Sequence, residues 1–119
     1  NARLILKLDR LIVERRIEEA LAGMRELRTQ GFADPEGIYT GAFMFAWANS
    51  PDAAIEILRE AVTAGYACHA ALTGRPEWTK LGGRPDFDAI VADTARMVDD
   101  ARRRFDAAGG PDVLGVPVR

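Results

Sequence analysis

The sequence matches itself at a spacing of about 34 residues, and this repetition constrains the fold more than any other feature. Residues 18–21 align with residues 52–55, which places Ala20 on Ala54. Further apolar pairs keep the same spacing: Leu4 with Ile38, Leu8 with Ala42, Leu11 with Phe45, Met24 with Leu58 and Leu27 with Ala61. A period of this length, with a small residue fixed in the second helix of each unit, is typical of helical-hairpin arrays. Stacked hairpins bury their apolar faces against one another and present a concave surface.

Apolar periodicity and cap residues predict four helices over the two matching units. They cover approximately residues 2–14, 17–30, 35–48 and 51–64. Gly31 and Gly65 follow the second and fourth helices as C-terminal stops. Asp34 followed by Pro35 is typical of a helix start, because the carboxylate accepts a free backbone N–H and proline lacks the donor that would go unpaired. The same start is predicted at residues 49–51.

The third unit departs from the repeat. Glycines and prolines between residues 69 and 83 predict a broken stretch with short helical turns at 70–72 and 77–81. Trp78 and Leu81 are expected to fold back onto the first four helices. A long final helix is predicted from residue 85 to residue 108, with one apolar face made of Phe87, Ile90, Val91, Thr94, Val98, Ala101 and Phe105. Residues 111–119 are predicted to be a loose tail.

Composition excludes several classes of partner. Hydrophobic residues make up 48% of the 119-residue chain and charged residues 29%, which indicates a globular domain. The net charge of −2 offers no basic field, so we expect neither nucleic acid nor membrane as a partner. The longest strongly apolar stretch, residues 41–48, is too short to span a bilayer. A single cysteine, Cys68, and the lack of a signal-peptide pattern indicate the cytoplasm. The chain begins at Asn1 without a methionine, in what resembles the middle of a helix, so we expect it to be a fragment of a longer protein.

Four further motifs follow the matching units. They are Gly-aromatic-x-Cys at 65–68, Pro-x-Trp-x-x-Leu at 76–81, Pro-x-Phe at 85–87 and Phe-x-x-Ala-Gly-Gly at 105–110. With these motifs and the repeat period, the chain resembles the tetratricopeptide repeat (TPR) superfamily, specifically the C-terminal TPR-like segment of many multidomain bacterial regulators. The resemblance covers nearly the whole chain and implies a partner-binding or regulatory appendage. Leu8 stands where the family carries a small residue, which predicts looser packing in the first hairpin.

The resemblance also implies which residues line the concave groove, because the first helix of each TPR hairpin faces it. The corresponding residues are Ile5, Asp9, Ile12, Tyr39, Phe43 and Trp47. The last three share one helix face. They form either an apolar groove for a partner segment, since aromatic anchors dominate binding hot spots, or plain core beneath the terminal helix. Ile5 and Asp9 replace the Lys and Asn with which some TPR domains grip carboxylates, so that clamp is not expected.

The sequence offers no set of residues for catalysis. Cys68 and His69 are adjacent, and a nucleophile–base pair needs hydrogen-bond reach and a third, orienting group. We interpret Cys68 as a small buried thiol. One histidine and one cysteine do not complete a tetrahedral metal site. Residues 102–104, all arginine, complement the negative end of the final helix. We therefore expect no catalytic residue, no metal site and no cofactor.

The sequence thus predicts an all-α fold, a right-handed array of antiparallel TPR-like hairpins closed by a long C-terminal capping helix. It forms a single domain, divided into repeat one (1–34), repeat two (35–68), a degenerate third unit with the capping helix (69–110) and the tail (111–119). The expected function is that of a non-enzymatic scaffold in a bacterial regulatory protein, binding a protein or peptide partner. The alternative is homo-oligomerisation, in which the same aromatic stripe pairs two copies and brings together an attached signalling or transcription-regulating domain.

Overall fold

Every regular element between residues 2 and 115, the part of the chain that the computed structural model describes, is a helix. Eight helices follow one another in that part: α1 Ala2–Val13, α2 Ile17–Thr29, α3 Pro35–Trp47, α4 Pro51–Thr63, α5 His69–Gly74, α6 Pro76–Thr79, α7 Pro85–Ala107 and α8 Gly110–Leu114. The predicted all-α class is confirmed. The five long helices begin and end within one residue of the predicted bounds.

The first four helices end in the same way, with one residue in the left-handed conformation directly after the last turn. These residues are Arg15 (φ 61°), Gly31 (φ 95°), Asn49 (φ 62°) and Gly65 (φ 113°). The next residue donates its N–H to a carbonyl five positions earlier: Arg16 to Leu11, Phe32 to Leu27, Ser50 to Phe45 and Tyr66 to Ala61. This is the Schellman closure, which satisfies carbonyls left free at a helix end. The closures at Arg15 and Asn49 are equivalent, as are those at Gly31 and Gly65, so these helix ends recur at the spacing of the sequence self-match.

Consecutive long helices pack in antiparallel pairs. Leu8 of α1 lies opposite Gly23 of α2, and Gly41 of α3 lies opposite Ile57 of α4, each pair at similar distances from the connecting turn. Helices α2 and α4 run alongside each other in the same direction, joined by ion pairs from arginines 25 and 28 to glutamates 56 and 60, at 2.7 and 2.9 Å. The alanines at positions 20, 42 and 54 are completely buried.

The start of α3 has the predicted cap, whereas the start of α4 does not. Asp34 accepts a hydrogen bond from the N–H of Gly37 at 3.0 Å, directly before Pro35. Ser50 precedes Pro51 in the same way, but its hydroxyl makes no capping hydrogen bond. The closure at Asn49 already fixes the backbone there, because the N–H of Ser50 is bonded back to α3. The second predicted cap is therefore wrong.

The broken stretch after α4 returns to the helical pairs as predicted. Trp78 of α6 is completely buried, and Leu81 is 7% exposed. The indole of Trp78 lies nearly parallel to the ring of Phe87 on α7, with 6.1 Å between ring centres. The same indole also meets Tyr39 and Phe43 of α3, at 6.0 and 6.3 Å between ring centres. Trp78 therefore fills the space between α3 and the closing helix.

Only the first half of α7 packs against the helices that precede it. Phe87, Ile90 and Thr94 are buried, whereas residues 99–108 are all exposed and Phe105 is 40% exposed. The predicted apolar face is thus correct near the N-terminus of α7 and wrong at Ala101 and Phe105. The radius of gyration, 16.4 Å, exceeds the roughly 13.5 Å expected of a compact chain of this length.

The predicted tail starts with a short helix. Helix α8 covers Gly110–Leu114, and its Pro111 is buried. Gly110 lies directly against the Phe105 ring, since a β-carbon there would come within 2.2 Å of it. The loose-tail prediction is therefore wrong for 111–114, and its part over 116–119 lies outside the described residues.

Candidate interaction surface

A cleft of about 160 Å³ lies between α1, α2 and α3. Its floor consists of buried side chains from all three helices: Leu8, Ile12, Ala20, Met24, Leu27 and Phe45. Its mouth is formed by residues that keep part of their surface in solvent: Ile5, Asp9, Phe32 and Thr40. A cavity of comparable volume, roughly 150 Å³, lined by Leu, Ile and Phe can hold a benzene molecule. The cleft therefore has room for one apolar group of that size.

Two glycines on one face of α3 form a wall of this cleft. A β-carbon on Gly41 would lie 2.9 Å from the terminal methyl of Met24, and one on Gly37 would lie 2.5 Å from the Phe32 ring. Met24 and Phe32 therefore pack directly on the α3 backbone. A glycine inside a helix costs about 1 kcal/mol relative to alanine. The close approach of α2 to α3 therefore lowers the intrinsic stability of α3. Gly41 is therefore a close-contact residue between α2 and α3.

Asp9 is the only charged side chain among the described residues that line the cleft. It is half-buried and makes no hydrogen bond or ion pair with any other residue between positions 2 and 115. Burial raises the pKa of this carboxyl above its ordinary value. A charge removed from water without a partner is unfavourable. The cleft thus combines an apolar interior with one uncompensated negative charge at its mouth.

The aromatic stripe of α3 lies elsewhere, under α6 and the turn after α4. Tyr39 stacks on Tyr66 with 4.2 Å between ring centres, and its hydroxyl accepts a hydrogen bond from Trp78 Nε1 at 3.1 Å. Burial raises the pKa of Tyr66. Phe43 meets Trp78 edge-on and carries the guanidinium of Arg75 4.8 Å above its ring centre. The rings of Tyr39 and Phe43 are half-buried, so they are neither open groove nor complete core.

Trp47 at the end of α3 is 46% exposed. The guanidinium of Arg15 lies 5.3 Å from its ring centre, within the range of a cation–π contact. The same guanidinium donates to the carbonyl of Ala48 at 2.5 Å, where the negative end of α3 lies. Arg15 therefore joins the turn after α1 to the end of α3 and partly covers the indole.

The six predicted groove residues thus divide between two places. Ile5, Asp9 and Ile12 line the cleft, while Tyr39, Phe43 and Trp47 lie outside it. The partner-binding role of all six stays a prediction. Sequence reasoning missed Phe32, Gly37 and Thr40, which complete the cleft. The sequence signal that could have indicated this part of the cleft is a pair of glycines four residues apart within a predicted helix.

Cys68 and His69 make no hydrogen bond with each other. Cys68 is exposed just before α5, so its interpretation as a buried thiol is wrong. The ring of His69 is engaged elsewhere, because its Nδ1 lies 3.1 Å from Oγ1 of the buried Thr94. The cysteine stays outside because the turn at Gly65 directs Tyr66, rather than Cys68, into the core.

Over residues 2–115, no group of three or more His, Cys, Asp or Glu side chains is placed to hold a metal ion. In the same range, no helix is both long and apolar enough to cross a membrane. In the basic cluster near the end of α7, Arg103 pairs with Asp100 on the same exposed surface.

No protein-family model, no curated protein and no solved structure matches the chain.

Proposed function

We propose that the protein is a non-enzymatic protein-interaction module of the TPR type, serving as a scaffold in a cytoplasmic bacterial regulatory protein. The observation that carries the proposal is the apolar cleft between α1, α2 and α3. Helices α1 and α3 are the first helices of the two pairs. Three of the residues that the TPR resemblance assigns to the concave groove, Ile5, Asp9 and Ile12, line this cleft. The equivalent closures in the two helical pairs support the repeat assignment on independent, backbone grounds.

The cleft favours binding over catalysis. Its lining supplies one carboxylate, and the Thr40 hydroxyl already donates to the carbonyl of Glu36 at 3.0 Å. A hydrolytic or transfer reaction needs a nucleophile, a base and an orienting group that converge on one point. An apolar interior with a charged edge instead suits a side-chain anchor, the element that supplies most of the affinity in protein interfaces.

Site-specific photocrosslinking in bacterial cells tests the proposal. A benzophenone amino acid replaces Ile5 at the mouth of the cleft or, as the matched control, Leu6, which is 68% exposed but does not line the cleft. Crosslinking of a protein from position 5 and not from position 6 is expected. The purified partner should then lose about tenfold or more in affinity for Ile5→Glu, since anchors at interface centres carry most of the binding energy. Equal behaviour of the two positions would contradict a partner at this cleft.

Homo-oligomerisation is the second candidate, favoured by apolar exposure at the far end of the molecule. Phe105, Val113 and Leu114 are 40%, 82% and 64% exposed. Phe105 lies against Gly110, the first residue of the helix that carries the other two. Analytical ultracentrifugation over a wide concentration range distinguishes the two functions. A dimer that Phe105→Glu dissociates would support self-association, and a concentration-independent monomer would rule it out.

A further inference from the structure

We infer that the cleft between α1 and α3 receives one bulky apolar side chain of a partner protein, with a lysine or arginine of the same partner segment placed against Asp9. The inference rests on the proposed function and names the chemistry of its partner. It combines the size of the cleft, its apolar floor and the position of its one carboxylate.

The size of the cleft selects a single side chain. Pockets that enclose a whole cofactor or drug-sized ligand have volumes of roughly 300 to 1,000 Å³. The cleft, at about 160 Å³, is smaller. Its floor is fully apolar, so it accepts a leucine, isoleucine, methionine or phenylalanine side chain and offers nothing to a polar one. Ile5, 37% exposed at the mouth, would be covered by the segment that carries the anchor.

The position of Asp9 selects a cation beside the anchor. The adjacent Arg10 is directed toward Glu14, to which it donates at 2.8 Å. Lys7 lies two residues from Asp9, a spacing that does not bring helix side chains face to face. Asp9 therefore keeps an unused acceptor at the edge of an apolar space, where a charge-assisted hydrogen bond is stronger than in open water.

The charge of Asp9 also sets the preference for the partner. Glu36, a neighbouring carboxylate on α3, lines a different groove together with Gly65 and Cys68, and does not line the cleft. A segment that enters the cleft thus meets one carboxylate, that of Asp9. An acidic segment would be repelled there and a basic one attracted, so charge complementarity specifies the partner as apolar and basic.

Three phenyl probes that differ in charge test the inference on the full chain. They are 2-phenylethylammonium, the neutral 2-phenylethanol and the anionic 3-phenylpropanoate, each titrated while backbone amide shifts of the protein are recorded by NMR. We expect shift changes at α1 and α3, with the cation binding about fivefold more tightly than the neutral probe, as a partly exposed ion pair allows, and the anion more weakly than both. In Asp9→Asn the advantage of the cation should disappear while the affinity for the neutral probe is kept.

Two substitutions at the mouth control for the location. Ile5→Trp fills the opening and should abolish binding of all three probes, whereas Leu6→Trp, on the neighbouring exposed position, should leave their affinities unchanged. Circular dichroism verifies that both variants fold. Binding without charge preference, or shift changes away from α1 and α3, would overturn the inference.

Two matched peptides separate the inference from the proposed function. An acetylated, amidated peptide with phenylalanine next to lysine should bind, and the same peptide with glutamate in place of lysine should not. If neither the probes nor the peptides bind but position 5 still crosslinks a partner, the inference fails and the proposed function stands. If the probes bind with the expected preference and no protein crosslinks, the proposed function fails instead.

Discussion

Leu8 of α1 packs on the bare backbone of Gly23 in α2, so closely that a β-carbon at position 23 would lie 2.4 Å from Leu8 Cδ2. This contact explains how the fold accommodates a large residue at a position where the TPR resemblance implies a small one. The bulk of Leu8 is accommodated because the facing helix has no side chain at that point. Leu8 remains only 6% exposed, so the first hairpin is not loosened there.

We predict that Gly23→Ala destabilises the wild type but stabilises a Leu8→Ala variant. In the wild type, overpacking of about 1–3 kcal/mol outweighs the gain of about 1 kcal/mol from replacing glycine in a helix. When Leu8 is truncated, the clash is gone and only the gain remains. Urea unfolding of the four proteins measures the coupling. If Gly23→Ala changes the free energy of unfolding with the same sign in both backgrounds, the Leu8 side chain can move away from the new methyl group, and the two residues are not energetically coupled.

Ala54→Arg should unfold the α3–α4 pair. Ala54 is completely buried, and a guanidinium there would combine overpacking, about 1–3 kcal/mol, with an unpaired buried charge. Arg103→Ala serves as the comparison, because Arg103 is 75% exposed on the surface of α7 and its loss should barely change the melting temperature. Thermal melts of the two variants check this prediction. Equal melting temperatures would mean that position 54 is not a close contact between helices.

Asp9→Asn should raise the melting temperature at neutral pH and leave it unchanged in acid. Burial raises the pKa of Asp9 in the folded protein above 3.8, the ordinary value. The folded state therefore holds the proton more tightly than the unfolded state, and the stability this gives is lost as the pH rises through the folded pKa. Below 3.8 both states are protonated, so the variant and the wild type should converge.

Asp99→Asn is the control for this pH dependence, since Asp99 is exposed on α7. Its melting temperature should follow that of the wild type throughout. An Asp9→Asn variant less stable than the wild type at neutral pH would show instead that the carboxylate has a favourable partner in the folded protein.

Tyr39→Phe should lower the free energy of unfolding by about 1–3 kcal/mol, the cost of leaving a buried donor without an acceptor. The donor is Trp78 Nε1, which lies 3.1 Å from the Tyr39 hydroxyl on a completely buried indole. The same substitution in a Trp78→Phe background should cost much less, because the donor is no longer present. Chemical denaturation followed by circular dichroism measures all four proteins. An equal cost in both backgrounds would show that the loss does not come from the hydrogen bond to Trp78.

The helices could be predicted from sequence because their ends are set locally. The Schellman closure at Gly31 and the proline and Asp34 cap before α3 involve residues a few positions apart. The sequence repeat then identified Ala20 and Ala54 as contacts between helices, since both must be small for the same geometric reason. Each of these features is visible in a short stretch of the chain or in the comparison of two such stretches.

The remaining features depend on neighbours that are distant in sequence. The apolar periodicity of α7 continues to Phe105, but periodicity does not reveal whether a long helix lies opposite, and none of the first four helices covers residues 99–108. The cleft arises where three helices meet around Gly37 and Gly41. Because its lining residues come from all three, the periodicity of one helix alone does not reveal it. Cys68 was assigned to the interior from its residue type, whereas the path of the chain after Gly65 places Tyr66 there.

The position of Trp78 has a consequence for how the protein unfolds. A linear stack whose units contact only their neighbours can lose a terminal piece independently. Here one indole meets Tyr39 and Phe43 on α3 and Phe87 on α7, and its hydrogen-bond partner Tyr39 lies 39 positions earlier in the chain. Detaching α7 would expose part of the Trp78 side chain. A buried aromatic side chain removes roughly 150–250 Å² of surface from water. The first half of the closing helix and the second helical pair are therefore expected to melt in one cooperative transition, so that this half of α7 does not fray as a separate end.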